Sequence, residues 1–251
     1  MRLKDKVALV TGAGSGNGEA IAVEYLRQGG KVIFADINEV AAEKIAENSG
    51  FSSEYWLSHY IDVTDRSSVN SCIKAALEKF GQLDILVANA GITIRKSFLE
   101  MTDTDFDKVM NVNSKGVFLC SQEAARVMAK QGGGGVIIHM ASISSRIVAQ
   151  YNSVAYGASK GAVSSMTRHM AKDLSSEKIR VNSLAPGTIL TNLTKERLEI
   201  EGAIDQQSQK IMLGRIGEAN EIIGAAVFLA SDESSFMTGS EIVIDGGETA
   251  Q

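Results

Sequence analysis

Covalent staples and rigid turns are scarce in this chain. Among its 251 residues there are one proline, one tryptophan, two cysteines and three histidines. Cys72 and Cys120 both fall in stretches that read as helix, which favours buried thiols over a disulfide or a metal pair. His59, His139 and His169 show no ligand spacing, so no metal site is expected. Long apolar runs are missing too. The first, Val7-Ala8-Leu9-Val10, is too short for the apolar segment of a signal peptide, and nothing approaches the roughly 20 residues of a membrane-spanning helix. A soluble cytoplasmic protein without a membrane partner is the expectation. Nor is basic charge in excess: 25 Lys and Arg against 30 Asp and Glu leave a net charge of -5, which argues against a nucleic-acid surface.

What the chain does have is a regular alternation of strand and helix signals. Strand-like runs occur at Val7–Val10, Lys31–Ala35, Tyr60–Val63, Ile85–Ala88, Val136–Met140, Ile179–Asn182 and Glu241–Ile244. Helical stretches between them include Glu19–Gln28, Val69–Phe80, Asp103–Lys130 and Tyr156–Leu174. The last carries a core stripe of Val163, Met166, Met170 and Leu174. Such alternation predicts α/β architecture with a parallel sheet, and this length can bury one large core, so a single domain over 1–251 is expected. Thr191–Leu213 is weakly helical and mixed in charge. It reads either as a substrate lid at about 190–214 or as a solvated surface helix.

The first strand runs into Thr11-Gly12-Ala13-Gly14-Ser15-Gly16-Asn17-Gly18 and then a helix. Strand, glycine loop and helix make a phosphate site: Gly12, Gly16 and Gly18 permit a tight turn and close backbone approach to a pyrophosphate, which faces the positive end of the helix dipole. No Gly-Lys-Ser/Thr closes the loop, which excludes the Walker alternative. Asp36 ends the second strand, where an acid meets the adenosine ribose of a dinucleotide. Its carboxylate would accept the ribose hydroxyls and repel a 2'-phosphate. Neither Ile37 nor Ser15 supplies the positive charge such a phosphate needs, which points to NAD rather than NADP. A helix-capping role for Asp36 is the plainer alternative. The expected fold is therefore Rossmann-type and doubly wound, a mainly parallel seven-stranded sheet with helices on both faces and ligands at the carboxyl ends of the strands.

Tyr156 and Lys160 lie four apart, on one helical face. A phenol titrates near pH 10, and bringing it to about 7 takes roughly 4 kcal/mol of preferential phenolate stabilisation. An ammonium about 4 Å away supplies on the order of 4 kcal/mol where the effective dielectric is about 20. The pair can make a base, although Tyr-x-x-x-Lys also occurs as an ordinary surface pair.

Taken jointly, Thr11-Gly12-x-x-x-Gly16-x-Gly18, Asp62-Val63, Asn89-Ala90-Gly91, Asn113, Ser142, Tyr156-x-x-x-Lys160, Ile179-Arg180-Val181-Asn182 and Pro186-Gly187-Thr188 resemble the short-chain dehydrogenase/reductase family, in the family's order and over nearly the whole chain. The resemblance implies hydride transfer between NAD and the carbinol carbon of an alcohol, with Tyr156 as acid/base. It implies that Lys160 holds the nicotinamide ribose and depresses the Tyr156 pKa, that Ser142 orients the substrate oxygen, and that Asn113 anchors a water beside Lys160. Gly12, Ser15, Gly16, Asn17 and Gly18 would bind the pyrophosphate, Asp36 and Ile37 the ribose end, and Asp62 and Val63 the adenine. Asn89, Ala90 and Gly91 would border the central cofactor, and Pro186, Gly187 and Thr188 the carboxamide. A homotetramer, or less often a dimer, is implied through the long helices carrying Asn113 and Tyr156.

Several positions depart from the family pattern. Ala88 stands where an asparagine is frequent, Asn17 replaces an apolar residue, and Ala219 replaces a proline. Ser142 lies one residue farther from Tyr156 than is common, which makes Ser144 its rival. The leading function is an NAD-dependent oxidoreductase of a small secondary alcohol, polyol, sugar or ketone. A reductase of carrier-bound 3-oxoacyl groups is the alternative within the enzyme class, and a non-catalytic dinucleotide sensor is the alternative outside it. Arg95, Arg146, His139, Gln150 and Tyr151 fall near the segments expected to border the pocket. An arginine there would favour an acidic substrate.

Overall fold

The computed structural model describes residues 1–251, the side chains of residues 196 and 197 excepted. β1 (Val7–Thr11) is buried over its whole length, flanked by β2 (Lys31–Asp36) and β4 (Ile85–Ala88) as parallel neighbours. A strand covered on both faces has no polar side, which is why it reads as an unbroken apolar run. β3 (Trp56–Tyr60), β5 (Gly135–Met140), β6 (Ile179–Pro186) and β9 (Glu241–Ile244) complete a seven-stranded sheet in the order β3-β2-β1-β4-β5-β6-β9, parallel throughout. The short β7 (Ile189–Leu190) and β8 (Gly217–Glu218) pair separately.

Alternate strand residues face opposite sides. Leu9, Ile33, Leu86, Ile137 and Val181 pack against α3 (Arg66–Phe80), α5 (Gly116–Gln131) and α6 (Val154–Asp173). Val10, Phe34, Val87, Ile138 and Leu184 pack against α1 (Gly16–Arg27), α2 (Glu39–Asn48) and α9 (Ile223–Ala230). The α6 stripe behaves as its spacing predicts: Val163 is fully buried, and Met166, Met170 and Leu174 pack on the same core. Cys72 and Cys120 are buried thiols in that core, where loss of solvent pushes the Cys120 thiol up to about 12. Among the described residues no helix is long and apolar enough to cross a membrane.

Two expectations need correction. The third strand is Trp56–Tyr60, four residues earlier than the run Tyr60–Val63. As an edge strand it is only half buried, so its apolar signal is weak, whereas Ile61 and Val63 are apolar because the loop after the strand turns back into the core. The single helix expected over Asp103–Lys130 is α4 (Asp103–Met110), a π turn at Asn111–Lys115, and α5. The apolar period continues through the wider turn, so the sequence carries no break there. The stretch read as a lid, the two excepted side chains apart, holds α7 (Asn192–Leu198) and α8 (Ala203–Ser208).

His139 of β5 lies in the core, not in the pocket. It is fully buried between the Ser121 and Thr167 hydroxyls, each 2.9 Å from a ring nitrogen. Burial, with Lys160 nearby, pushes its pKa down from 6.5 to about 3. The unfolded chain therefore binds a proton that the folded one refuses between those values, and stability falls as pH drops below about 6.5. The expected loss is roughly 2 kcal/mol at pH 5. Urea midpoints at pH 7 and pH 5, compared with those of His139→Gln, measure it; an equal drop in the variant would assign the loss to other groups.

Candidate active site

The strand order reverses between β1 and β4, and a crevice opens where the loops that follow them part. The first loop crosses into the left-handed region at Gly12 (φ 69°) and Gly16 (φ 59°), where side chains other than glycine are strained. At Gly18 the demand is contact: a Cβ there would lie 2.1 Å from the Gly12 carbonyl oxygen. Asn89 ties the second loop to the first. Its Nδ2 donates to the Thr11 and Gly12 carbonyls at 2.9 and 3.3 Å, and the Thr11 hydroxyl oxygen accepts from the Asn89 and Ala90 amides at 3.0 and 3.1 Å.

Asp36, at the end of β2, turns its carboxylate back toward this loop. Its oxygens accept from the Gly14 amide at 2.8 Å and the Asn38 amide at 2.9 Å. Gly12, Ser15, Gly16, Asn17, Asp36, Ile37, Asp62, Val63, Asn89, Ala90 and Gly91 all line one cleft, with Gly18 packed beneath its floor. A second cleft is lined by Ser142, Tyr156, Lys160, Pro186, Gly187 and Thr188. Asn17, Asn89 and Gly91 border both, so the two are one groove.

At the far end of the groove, Tyr156 and Lys160 project from the first turns of α6, and Ser142 follows β5. Ser142 lines the same cleft as Tyr156, and its side chain caps the 3-10 turn Ile143–Ser145, accepting from the Ser144 amide at 3.1 Å. Its rival Ser144 lines the same cleft. Lys160 is buried, donates to the Met140 carbonyl at 2.7 Å, and lies 5.6 Å from the centre of the Tyr156 ring. Loss of solvent pushes the Lys160 pKa down to about 8. The expected depression of Tyr156 is not what the protein atoms produce: burial raises the phenol, and the Ser142 side chain and the Arg95 charge offset it only in part.

Asn113 lies outside the groove, in the π turn. Its Oδ1 accepts from the Ile92 amide at 2.8 Å, and its Nδ2 donates to the Ile92 carbonyl at 2.9 Å and to Ser159 Oγ at 3.0 Å. Gly91 separates it from Lys160, since a Cβ on Gly91 would lie 3.4 Å from Asn113 Oδ1 and 3.7 Å from Lys160 Nζ. The side chain holds the Ile92 backbone and Ser159 beside the lysine.

Of the further pocket candidates, Arg95 and Gln150 line the catalytic end and hydrogen-bond each other. Arg146 pairs at the surface with Glu241 at 2.7 Å, and Tyr151 is exposed. Sequence reasoning missed Thr11, Thr93, Thr191 and Thr194. Thr11 stood in the loop motif, whereas the others are hydroxyls in loops with no spacing to mark them. It also missed Glu248, buried beside Gly187 and bonded to Gln207 at 2.8 Å.

A family model described as enoyl-(acyl carrier protein) reductase matches residues 12–249. The chain belongs to the short-chain dehydrogenase/reductase family. Within the family, it is 39% identical over 247 residues to the 3-oxoacyl-[acyl-carrier-protein] reductase of Thermotoga maritima, covering 98% of this chain and 99% of that protein. It is 40% identical over 258 residues to the NADP-dependent (R)-specific alcohol dehydrogenase of Lentilactobacillus kefiri, covering 100% and 99%. A solved short-chain type dehydrogenase/reductase from Mycobacterium marinum superposes with a TM-score of 0.95 at 38% identity, over 99% of this chain and 97% of that one. Family membership makes this chain an oxidoreductase of alcohol or carbonyl groups that uses a nicotinamide dinucleotide.

The groove suits such a cofactor. The loop at Gly12 and Gly18 packs so closely on Asn89 and its own backbone that neither position admits a Cβ, and Asn17, bordering both halves, buries an Oδ1 with no hydrogen-bond partner among the described residues. Gly18→Ala, which sets a methyl against the Gly12 carbonyl, is expected to cost about 1–3 kcal/mol. A lower urea midpoint together with weaker quenching of protein fluorescence by NADH would report it; an unchanged midpoint would refute the contact.

Proposed function

We propose that this chain is an NAD-dependent dehydrogenase/reductase acting on a small secondary alcohol, polyol, sugar or the corresponding ketone. One observation carries the reading: Ser142, Tyr156 and the buried Lys160 gather at one end of a groove whose other end presents the Asp36 carboxylate.

In this reading Gly12, Ser15, Gly16, Asn17 and Gly18 hold the pyrophosphate at the start of α1. Asp36 and Ile37 hold the adenosine ribose, Asp62 and Val63 the adenine, Asn89 to Gly91 the middle, and Pro186 to Thr188 the carboxamide. When bound, the oxidised cofactor supplies the hydride acceptor and a positive ring charge. Ser142 orients the substrate hydroxyl and stabilises its developing negative oxygen. Tyr156 takes the hydroxyl proton at Oη as phenolate and returns it in the ketone-reducing direction. Lys160, cationic at neutral pH, holds the ribose, and Asn113 positions the Gly91–Ile92 backbone beside it. Residues 190–214 act as the lid of a single domain.

Asp36 supports NAD over NADP. A fixed carboxylate repels a 2'-phosphate, and neither Ser15 nor Ile37 answers that phosphate with a positive charge. A second reading, reduction of carrier-bound 3-oxoacyl groups, is favoured by the similarity to the Thermotoga maritima reductase. We also propose a soluble cytoplasmic homotetramer assembled through α5 and α6; a monomeric mass by light scattering would remove that part.

The test follows reduced-cofactor absorbance with NAD or NADP over secondary alcohols, polyols and sugars, and in reverse over ketones and a 3-oxoacyl thioester. Turnover is expected to prefer NAD and to fall by roughly 10²–10⁴ in Tyr156→Phe. Full turnover in that variant would defeat the mechanism, and a preference for the thioester with NADPH would favour the second reading.

A further inference from the structure

The catalytic cleft continues past the residues that would hold the reacting group. Ser144, Ala149 and Gln150 line it, and the same three residues line a further cleft of about 460 Å³, a volume within the range of small-molecule sites. The second cleft is therefore an outward extension of the first. Its walls come from the loop after β4, the loop between β5 and α6, and the first turns of α6. The Lys96 amide ties the two loops together by donating to the Asn152 carbonyl at 3.1 Å, and the Ser153 hydroxyl braces the second by donating to the Gln150 carbonyl at 2.8 Å.

This extension differs in chemistry from the hydroxyl-rich catalytic end. Five large apolar side chains line it, Phe98, Ile147, Val148, Tyr151 and Val154, and all five are exposed, Val148 and Tyr151 at 85%. Among the described lining residues the one charged side chain is Lys96, and the Asp105 carboxylate occupies its ammonium at 2.7 Å. Apolar groups gathered in a cleft and left in water favour an apolar ligand that covers them. The floor stays low at Gly157, directly after Tyr156: a Cβ there would meet only the Ser144 carbonyl oxygen among the described residues, at 3.5 Å. Continuity with the catalytic end sets this face apart from a plain subunit contact, since a group seated at Tyr156 that extends over Ala149 and Gln150 enters it.

We propose that the substrate is a secondary alcohol or ketone with an apolar arm, and that the arm lies against Ile147, Val148 and Tyr151 while the carbinol carbon stays at Ser142 and Tyr156. The inference rests on the oxidoreductase reading above and narrows its substrate class away from sugars and polyols. The arm exchanges no atoms. Only the carbinol carbon is oxidised, giving up a hydride to the oxidised nicotinamide and its hydroxyl proton to Tyr156.

The test uses the full-length protein and a series of 2-butanol, 2-hexanol and 2-octanol, with 2,7-octanediol as a control of equal length and a polar end, following kcat and KM with NAD and NADP. Binding of butanamide, hexanamide and octanamide, unreactive carbonyl analogues, is measured by calorimetry on the protein saturated with NADH or NADPH. Each added CH2 is expected to tighten binding and to raise kcat/KM roughly 2–4-fold, with the diol losing most of that gain. Val148→Asp and Tyr151→Asp, both at exposed positions, should flatten the two series from six carbons onward and leave the four-carbon members unchanged. A flat or falling series in the wild type would overturn the inference, as would a rise that survives both variants. So would variants that weaken every member equally while lowering the mass seen by light scattering, which would make the face a contact between copies of this chain. Should a variant fail to fold, the other and the wild-type series decide. Absence of binding of either reduced dinucleotide would instead remove the dinucleotide reading, and this inference with it.

Discussion

The hydrogen bonds between Asn89 and the end of β1 hold together two loops that the strand order drives apart. β1 and β4 are neighbours in the sheet, yet the chain leaves them toward opposite flanks. Asn89 Nδ2 on the Thr11 and Gly12 carbonyls, with Thr11 Oγ1 receiving the Asn89 and Ala90 amides, ties the two loops together beside the crevice. These groups are partly buried, so each unmade bond would leave a desolvated donor or acceptor, at a cost of about 1–3 kcal/mol. Because Asn89 saturates the backbone itself, Ala88 needs no polar side chain and packs into the sheet. The glycine loop can then lie against α1 at a distance that only Gly18 allows.

The other end of the groove depends on burial rather than on backbone stitching. Lys160 enters the protein from α6 and finds a carbonyl, that of Met140, but no carboxylate partner among the described residues. Its pKa falls to about 8, still high enough for it to remain cationic at neutral pH. The same exclusion of water raises the Tyr156 phenol. Desolvation therefore opposes the lysine's effect on the tyrosine, and nearby positive charge must be supplied from more than one side. Arg95 is one such source within the chain.

Asn113 illustrates a second kind of support. The π turn at Asn111–Lys115 widens the helix where the side chain must reach the Gly91–Ile92 backbone. An unbroken α-helix would carry residues 113 and 116 on a different phase. Gly116 lies against Val63, where a Cβ would come within 2.7 Å of the valine side chain. The helix is distorted where two loops and one strand end have to be satisfied at once.

The sequence by itself determined the sheet, its parallel sense and the glycine loop, because covered strands are apolar throughout and because left-handed turns and close contacts exclude side chains. It also determined which tyrosine and lysine share a face, since helical periodicity is local. It misread the third strand, where burial of Ile61 and Val63 came from a loop rather than from pairing, and it could not see the π turn, across which the apolar pattern runs unbroken. Only the tertiary structure decided that Ser142 and Ser144 both reach the cleft of Tyr156, that His139 belongs to the core and Arg146 to the surface, and that Arg95 and Gln150 meet. Those outcomes depend on how loops from distant strands cross at one sheet edge, and neither periodicity nor spacing along the chain encodes that crossing.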